Sequence, residues 1–287
     1  MSEPAPLAAQ ALLLDVTAAG TRLVAVGDHG DVVLSRDGGA TWSQALVPAR
    51  ALLTGVSFPD AQNGWAVGHE GVILHTADGG ATWQRQDDGR RPDDVYLDVL
   101  FRDARHGLVV GAYGRCLRTD DGGATWEAVH PVEDEVHYNR ISAGPDGELY
   151  LAGEAGTALV SRDDGATWAR LAVPYDGSLF GVLPLDSGKL VAYGLRGHIF
   201  HSEDHGATWQ AAANDVTVLV MGGVRLAGGA VVLGGQGGNF FVSHDDGRTF
   251  TAWKPVGFET SVAEIVDAGD GSILTVGEAG AARLILP

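Results

Sequence analysis

The octapeptide SRDGGATW at residues 35–42 decides the fold, because it does not stand alone. It returns as TADGGATW at 76–83, TDDGGATW at 119–126, SRDDGATW at 161–168, SEDHGATW at 202–209 and SHDDGRTF at 243–250. The closing aromatics Trp42, Trp83, Trp126, Trp168, Trp209 and Phe250 are spaced by 41, 43, 42, 41 and 41 residues. A second marker, G-x-x-G, keeps the same period at Gly27–Gly30, Gly68–Gly71, Gly111–Gly114, Gly153–Gly156, Gly194–Gly197, Gly235–Gly238 and Gly277–Gly280. In six units a box aspartate (Asp37, Asp78, Asp121, Asp163, Asp204, Asp245) follows the second glycine by seven residues; in the seventh unit that position is Pro287.

Between the markers lie short runs rich in β-formers, such as LLTGVSF at 52–58, WAVG at 65–68 and VILHT at 72–76, with no helical periodicity. Four short strands repeated every ~40–45 residues predict the blades of a propeller. We therefore expect an all-β, seven-bladed β-propeller of four-stranded antiparallel blades, a single domain over residues 1–287. A linear β-solenoid is the alternative, but its coils usually repeat over fewer residues. Seven G-x-x-G turns against six boxes leave one blade short of an outer strand, and residues 3–10 are expected to supply it and close the ring. Within the box, the carboxylate suits turn N–H groups, the fifth-place glycine allows positive φ, the Thr hydroxyl can satisfy a buried polar group, and the aromatic can anchor neighbouring blades. The alternating oxygen ligands and closing Glu of a calcium loop are missing, so the boxes read as scaffold and no metal or cofactor is expected.

With 37 acidic residues against 19 basic ones, the net charge of −18 argues against nucleic acid and anionic membrane surfaces. The single Cys116 excludes an internal disulfide framework. No apolar run approaches the ~20 residues of a membrane span, so no direct membrane insertion is expected. The start MSEPAPLAAQ lacks the basic and apolar segments of a signal peptide, which fits a cytoplasmic protein or an exported one whose leader is absent.

The box resembles the Asp-box, or BNR, repeat of sialidase-type propellers. The longer pattern GWAVGHEGVILHTADGGATW at 64–83 and its echoes resembles the photosystem II stability/assembly factor-like family over nearly the whole chain. That resemblance implies a non-enzymatic binding propeller exported to the periplasm; we expect a monomer that takes a protein partner or a small amphipathic ligand. The stretch PYDGSLFGVLPLDSGKLVAYGLRGHIFHS at 174–202 is similar to the non-photosynthetic bacterial branch, for which an association with hydrophobic-compound transport is implied.

In such propellers the B–C turns and D–A loops share the face opposite the boxes. The B–C turns bring Asp28, His29, His69, Glu70, Tyr113, Glu154, Leu195, Arg196, Gln236 and Glu278 there, followed by Arg115, His198 and Asn239. The D–A loops add Arg50, Arg90, Arg91, Asp93, Asp94, His137, Tyr138, Tyr175, Asp176 and Glu259. These positions differ from blade to blade, whereas the boxes are near-copies. Glu70, Tyr113, Arg115, Arg140, Glu154, Tyr175, Arg196 and Glu278 are the expected binding residues, with Arg and Tyr as anchors. The inner strands align Asp15, Gly55, Asp98, Arg140, Gly181, Met221 and Glu264, so Asp15, Asp98, Arg140 and Glu264 are expected to line a central channel as an ion network. The alternative is a glycan hydrolase using paired carboxylates on the same face, although the R-I-P motif of sialidases, H-E-x-x-H and G-x-S-x-G are all missing.

Overall fold

Every G-x-x-G pair sits at the turn between the second and third strands of an antiparallel sheet in a computed structural model of the chain, which describes residues 1–86, 93–214 and 217–287. The first blade runs Leu13–Ala19, Arg22–Gly27, Val32–Ser35 and Ser43–Ala45, hydrogen-bonded in that order (strands A to D). Five further four-stranded sheets repeat it, and the seventh has three strands, Val262–Asp267, Ser272–Gly277 and Gly280–Ile285. The A strand of the last blade packs against that of the first, closing a seven-bladed ring. No α-helix occurs among the described residues.

The two glycines of the turn answer different needs. A Cβ on Gly27 would lie 2.0 Å from the Leu12 carbonyl oxygen; only glycine lets the turn close on the A strand so that the Asp28 N–H reaches that oxygen at 3.0 Å. Gly30 has φ 74°, a left-handed conformation, and a Cβ there would stand 2.6 Å from the Ala49 carbonyl. The turn is thereby pinned to both the A strand and the D–A loop, which puts B–C turns and D–A loops on one face.

The boxes form the opposite face, and each is closed from within. Asp78 Oδ1 accepts from the Thr82 N–H at 2.9 Å and the Thr76 hydroxyl at 2.8 Å, while Oδ2 accepts from the Thr82 hydroxyl at 2.6 Å. The Thr76 oxygen accepts from the Gly80 N–H at 3.0 Å, and Trp83 Nε1 donates to the Gly80 carbonyl at 2.8 Å. The last box Thr thus serves the aspartate itself. The Thr82 hydroxyl and N–H hold the Asp78 carboxyl down at about 2, so the ionised form is the one the turn binds. Removing this cap by Asp78→Ala should cost about 0.5–2 kcal/mol, by analogy with other side-chain caps on backbone N–H groups. Calorimetry should show that loss, and neither calcium nor a chelator should shift the melting temperature.

Residues 3–10 close the ring, but not as the expected fourth strand. Ala8–Gln10 form a 3-10 turn, with Ala8 buried among Leu13, Val33, Leu274 and Val276 at the seam of the last and first blades. A Cβ on Gly280 would lie 2.0 Å from the Ala9 carbonyl, so this segment fills the place that a D–A loop fills beside Gly30. The chain is fastened further by Ser2, whose N–H donates to the Val47 carbonyl at 2.8 Å, and by a 2.5 Å Arg50–Glu3 ion pair. Pro4 and Pro6 explain the missing strand, because prolines two apart remove successive donors from the same edge. A chain beginning at Ala11 should melt at lower temperature or aggregate in a scanning measurement; an unchanged melt would remove the seam from the account of stability.

Candidate functional site

Each A strand carries a bulge just before it reaches the axis. The residue after the bulge pairs with the residue preceding the turn glycine, as Asp15 does with Val26 and Glu264 with Val276. In the sixth blade that residue is Gly222, paired with Gly234, which corrects the alignment of Met221 with this ring. The axial set is therefore Asp15, Gly55, Asp98, Arg140, Gly181, Gly222 and Glu264. The glycines make room for their charged neighbours: a Cβ on Gly55 would meet Asp98 Oδ1 at 3.0 Å, and one on Gly222 would meet Glu264 Cα at 2.9 Å. At Gly181 the freed space is taken by the Tyr193 ring, 2.3 Å from where a Cβ would stand.

The axial acids bind backbone as well as charge. Asp15 accepts from the N–H groups of Val16 at 2.8 Å and Val56 at 2.7 Å, stapling the first blade to the second. Asp98 accepts from Val99 at 2.8 Å and Ile141 at 2.9 Å, stapling the third to the fourth. Glu264 Oε1 accepts from the Ile265 N–H at 2.8 Å, and Oε2 pairs with Arg140. Burial, and then the Asp98 charge, push the Asp15 carboxyl up to about 7, against the pull of Arg140 and the two N–H groups. Burial also raises Asp98, with Arg140 the main opposing influence. Burial works against the Arg140 charge too, yet Tyr193, Asp98 and Asp15 hold it above its ordinary range. Arg140 is thus committed to the axial network.

The remaining expected binding residues stand on the B–C/D–A rim in separate groups. Tyr113, 69% exposed with φ 55°, packs edge-on against His137 at 4.7 Å between ring centres, and His137 faces Glu154 at 3.7 Å. Arg115 pairs with Asp94 at 2.7 Å. The Tyr175 hydroxyl donates to the Leu195 carbonyl at 3.2 Å, and its ring lies 4.4 Å from that of His198. Arg196 and Glu70 are exposed, and Glu278 accepts from the Ser261 N–H at 2.9 Å. Arg50 is tied to the N-terminal segment, and Arg90 and Arg91 lie outside the described residues.

Among the cavities beside these residues, two border the expected binding residues away from the N-terminal segment. One of about 500 Å³ on the third blade is polar, with Asp93, Asp94, Arg115 and Glu133 in its wall. The other, about 440 Å³, lies at the channel mouth where the A strands of blades one, six and seven meet the turns of blades five to seven; Leu12, Leu14, Leu195, Leu219, Met221 and Ala263 line it. The sequence reading missed this apolar mouth. Its signal was the run Leu12–Leu13–Leu14, where a half-buried strand should alternate.

With the ring, its two unlike faces and its axial cluster established, kinship can be placed. The pattern of the photosynthesis system II assembly factor YCF48 family matches residues 3–92 and 91–265. The chain belongs to that family. No curated protein matches it. Among solved structures, YCF48 bound to D1 peptide is similar at 20% identity and a TM-score of 0.80, over 97% of this chain and 93% of that one. YCF48 from Cyanidioschyzon merolae is similar at 17% identity and 0.78, over 98% and 96%. An ancestral GH74 enzyme is 14% identical at 0.74, covering 99% of this chain but 46% of its own. At such identities the structural likeness speaks for the fold alone; the YCF48-family assignment rests on the sequence pattern.

Proposed function

We propose that this YCF48-family propeller is a non-enzymatic binding and assembly factor that docks a protein partner on its B–C/D–A face. The observation that carries the reading is the contrast between the faces. Six box turns spend their polar groups on one another, whereas the opposite face varies from blade to blade and exposes Tyr113, Leu195 and Arg196 beside cavities. Family membership supports it, as does a structurally similar relative that holds a D1 peptide. The hydrolase alternative is disfavoured by the axis, where both oxygens of Asp15 and of Asp98 are occupied by backbone N–H groups. Periplasmic location and service to a membrane transport system belong to the same proposal and rest on the resemblance alone.

The test is affinity capture from the source cells followed by titration of the captured partner. Tyr113→Ala and Arg196→Ala should each weaken binding by roughly 1–2 kcal/mol without altering the circular dichroism. Arg140 is unsuitable for this purpose, since its loss would leave the axial carboxylates unbalanced. The box serines make poor controls as well: Ser35 is 1% exposed and holds the Gly39 N–H at 2.8 Å. Arg36, exposed on the box face, is the appropriate one, and Arg36→Ala should leave affinity unchanged. The opposite pattern would move the docking surface to the box face.

A further inference from the structure

The apolar channel mouth is explained neither by the fold nor by the axial ion network. Directly after the first turn glycine six blades carry a polar or small residue, but the fifth carries Leu195, 37% exposed, above the cavity that Leu14 and Met221 of the A strands line together with Leu219. A lone exposed leucine would need no comment; one that continues a concave apolar wall of about 440 Å³ does. That volume lies within the range of about 300–1,000 Å³ usual for ligand sites. The bulges create it, because they turn Leu14, Met221 and Ala263 out of the blade cores immediately before Asp15, Gly222 and Glu264.

Charge narrows what can enter. Glu278 is the only ionisable residue in the wall, is exposed, and forms no ion pair among the described residues. One step further along the strands from Leu14 and Ala263 stand Asp15 and Glu264, members of a cluster in which three carboxylates share Arg140. Arg196 follows Leu195 in sequence but is not part of the wall. The chain as a whole carries −18. An acidic group brought to this mouth would be repelled, while a basic one would find Glu278.

We propose that this cavity is the anchor pocket of the docking face, and that it takes an apolar side chain from an extended partner segment whose adjacent residues are basic. The proposal rests on the binding reading above and specifies the chemistry of what binds. The apolar side chain supplies the burial, as anchors in central pockets do, and the neighbouring ammonium or guanidinium meets Glu278 at the rim.

The experiment uses three fluorescein-labelled eight-residue peptides with Gly/Ser flanks, centred on Lys-Phe-Lys, Glu-Phe-Glu and Lys-Ser-Lys, titrated by anisotropy at low and moderate salt. Lys-Phe-Lys should bind the full chain, with the other two weaker by roughly tenfold or more. Met221→Glu and Leu195→Glu should abolish the preference for Phe over Ser. Leu195→Ser, at a partly exposed turn, gives the same readout with least risk to folding, and melts followed by circular dichroism check all three. Glu278→Lys should reverse the order of Lys-Phe-Lys and Glu-Phe-Glu. Equal binding of the three peptides, binding of none, or binding indifferent to Met221→Glu would overturn the pocket assignment. Capture of the cellular partner separates the two readings. A partner lost with Tyr113→Ala and Arg196→Ala but retained undiminished with Met221→Glu keeps the face and eliminates the pocket.

Discussion

Trp83→Ala should destabilise the protein by about 3–5 kcal/mol, the cost usual for deleting a large aromatic from a packed core. The indole is 6% exposed and packs where two blades meet, with Val24 and Leu34 of the first blade and Leu74 of the second in the same cluster. Phe58 stands edge-on to it, with ring centres 6.0 Å apart. Truncation would empty that seam and also strip the Gly80 carbonyl of its indole donor. Trp126, at the equivalent place one blade on, should cost less, because it is only half-buried and its Nε1 finds no acceptor among the described residues. Urea denaturation of both variants, read at constant m-value, measures the difference. Equal losses would mean that the box aromatic acts inside its own turn and not between blades.

That the box could be read from sequence while parts of the site could not has a physical cause. A box turn and a G-x-x-G turn are local objects: Asp78, Gly80 and Trp83 bond to one another within a few residues, so their chemistry is written in one short stretch. The blade count and ring architecture follow from repeating it. The channel is a non-local object. Tyr193 lies on a second strand and reaches the axis only because Gly181 has no side chain, a dependence between strands that spacing along one strand does not show. Bulges then break the two-residue alternation on which strand reading depends, which is how Met221 stood in for Gly222. Counting thirteen residues back from Gly235, as in blades two to five and seven, leads to Gly222, so the spacing itself carried the right residue. The same holds at the N-terminus, where Pro4 and Pro6 already opposed a hydrogen-bonded strand. At the rim, Tyr113, Arg196 and Glu278 were legible as variable turn residues, whereas the apolar wall assembled from blades one, five, six and seven was not.

Stability should rise as the pH falls from about 8 to about 5, and Asp15→Asn should remove most of that rise. The Asp15 carboxyl stands at about 7 in the folded chain against 3.8 for an ordinary aspartate. Between those values the folded state holds the proton and the unfolded state does not, so lowering the pH favours folding. The stabilisation is complete below the unfolded value and is lost as pH rises through the folded one. The cause is in the axis: burial comes first, then the Asp98 charge, and among the described residues the one guanidinium acting against them is Arg140, which is already paired with Glu264. Box aspartates work in the other direction. Asp37, Asp78 and Asp245 are held at about 2, so their contribution is present above the ordinary carboxylate value and is lost as pH falls towards the folded one. The melting temperature should therefore pass through a maximum near pH 4–5 and fall steeply below it. A shift of the size seen at Asp15 corresponds to an effect on the order of 2–4 kcal/mol across the upper limb. Comparing Asp15→Asn with the unsubstituted chain by calorimetry from pH 4 to pH 8 cancels the histidines, which both proteins share. Parallel curves would show that Asp15 is ionised throughout this range and that the axial cluster is balanced by something other than a retained proton.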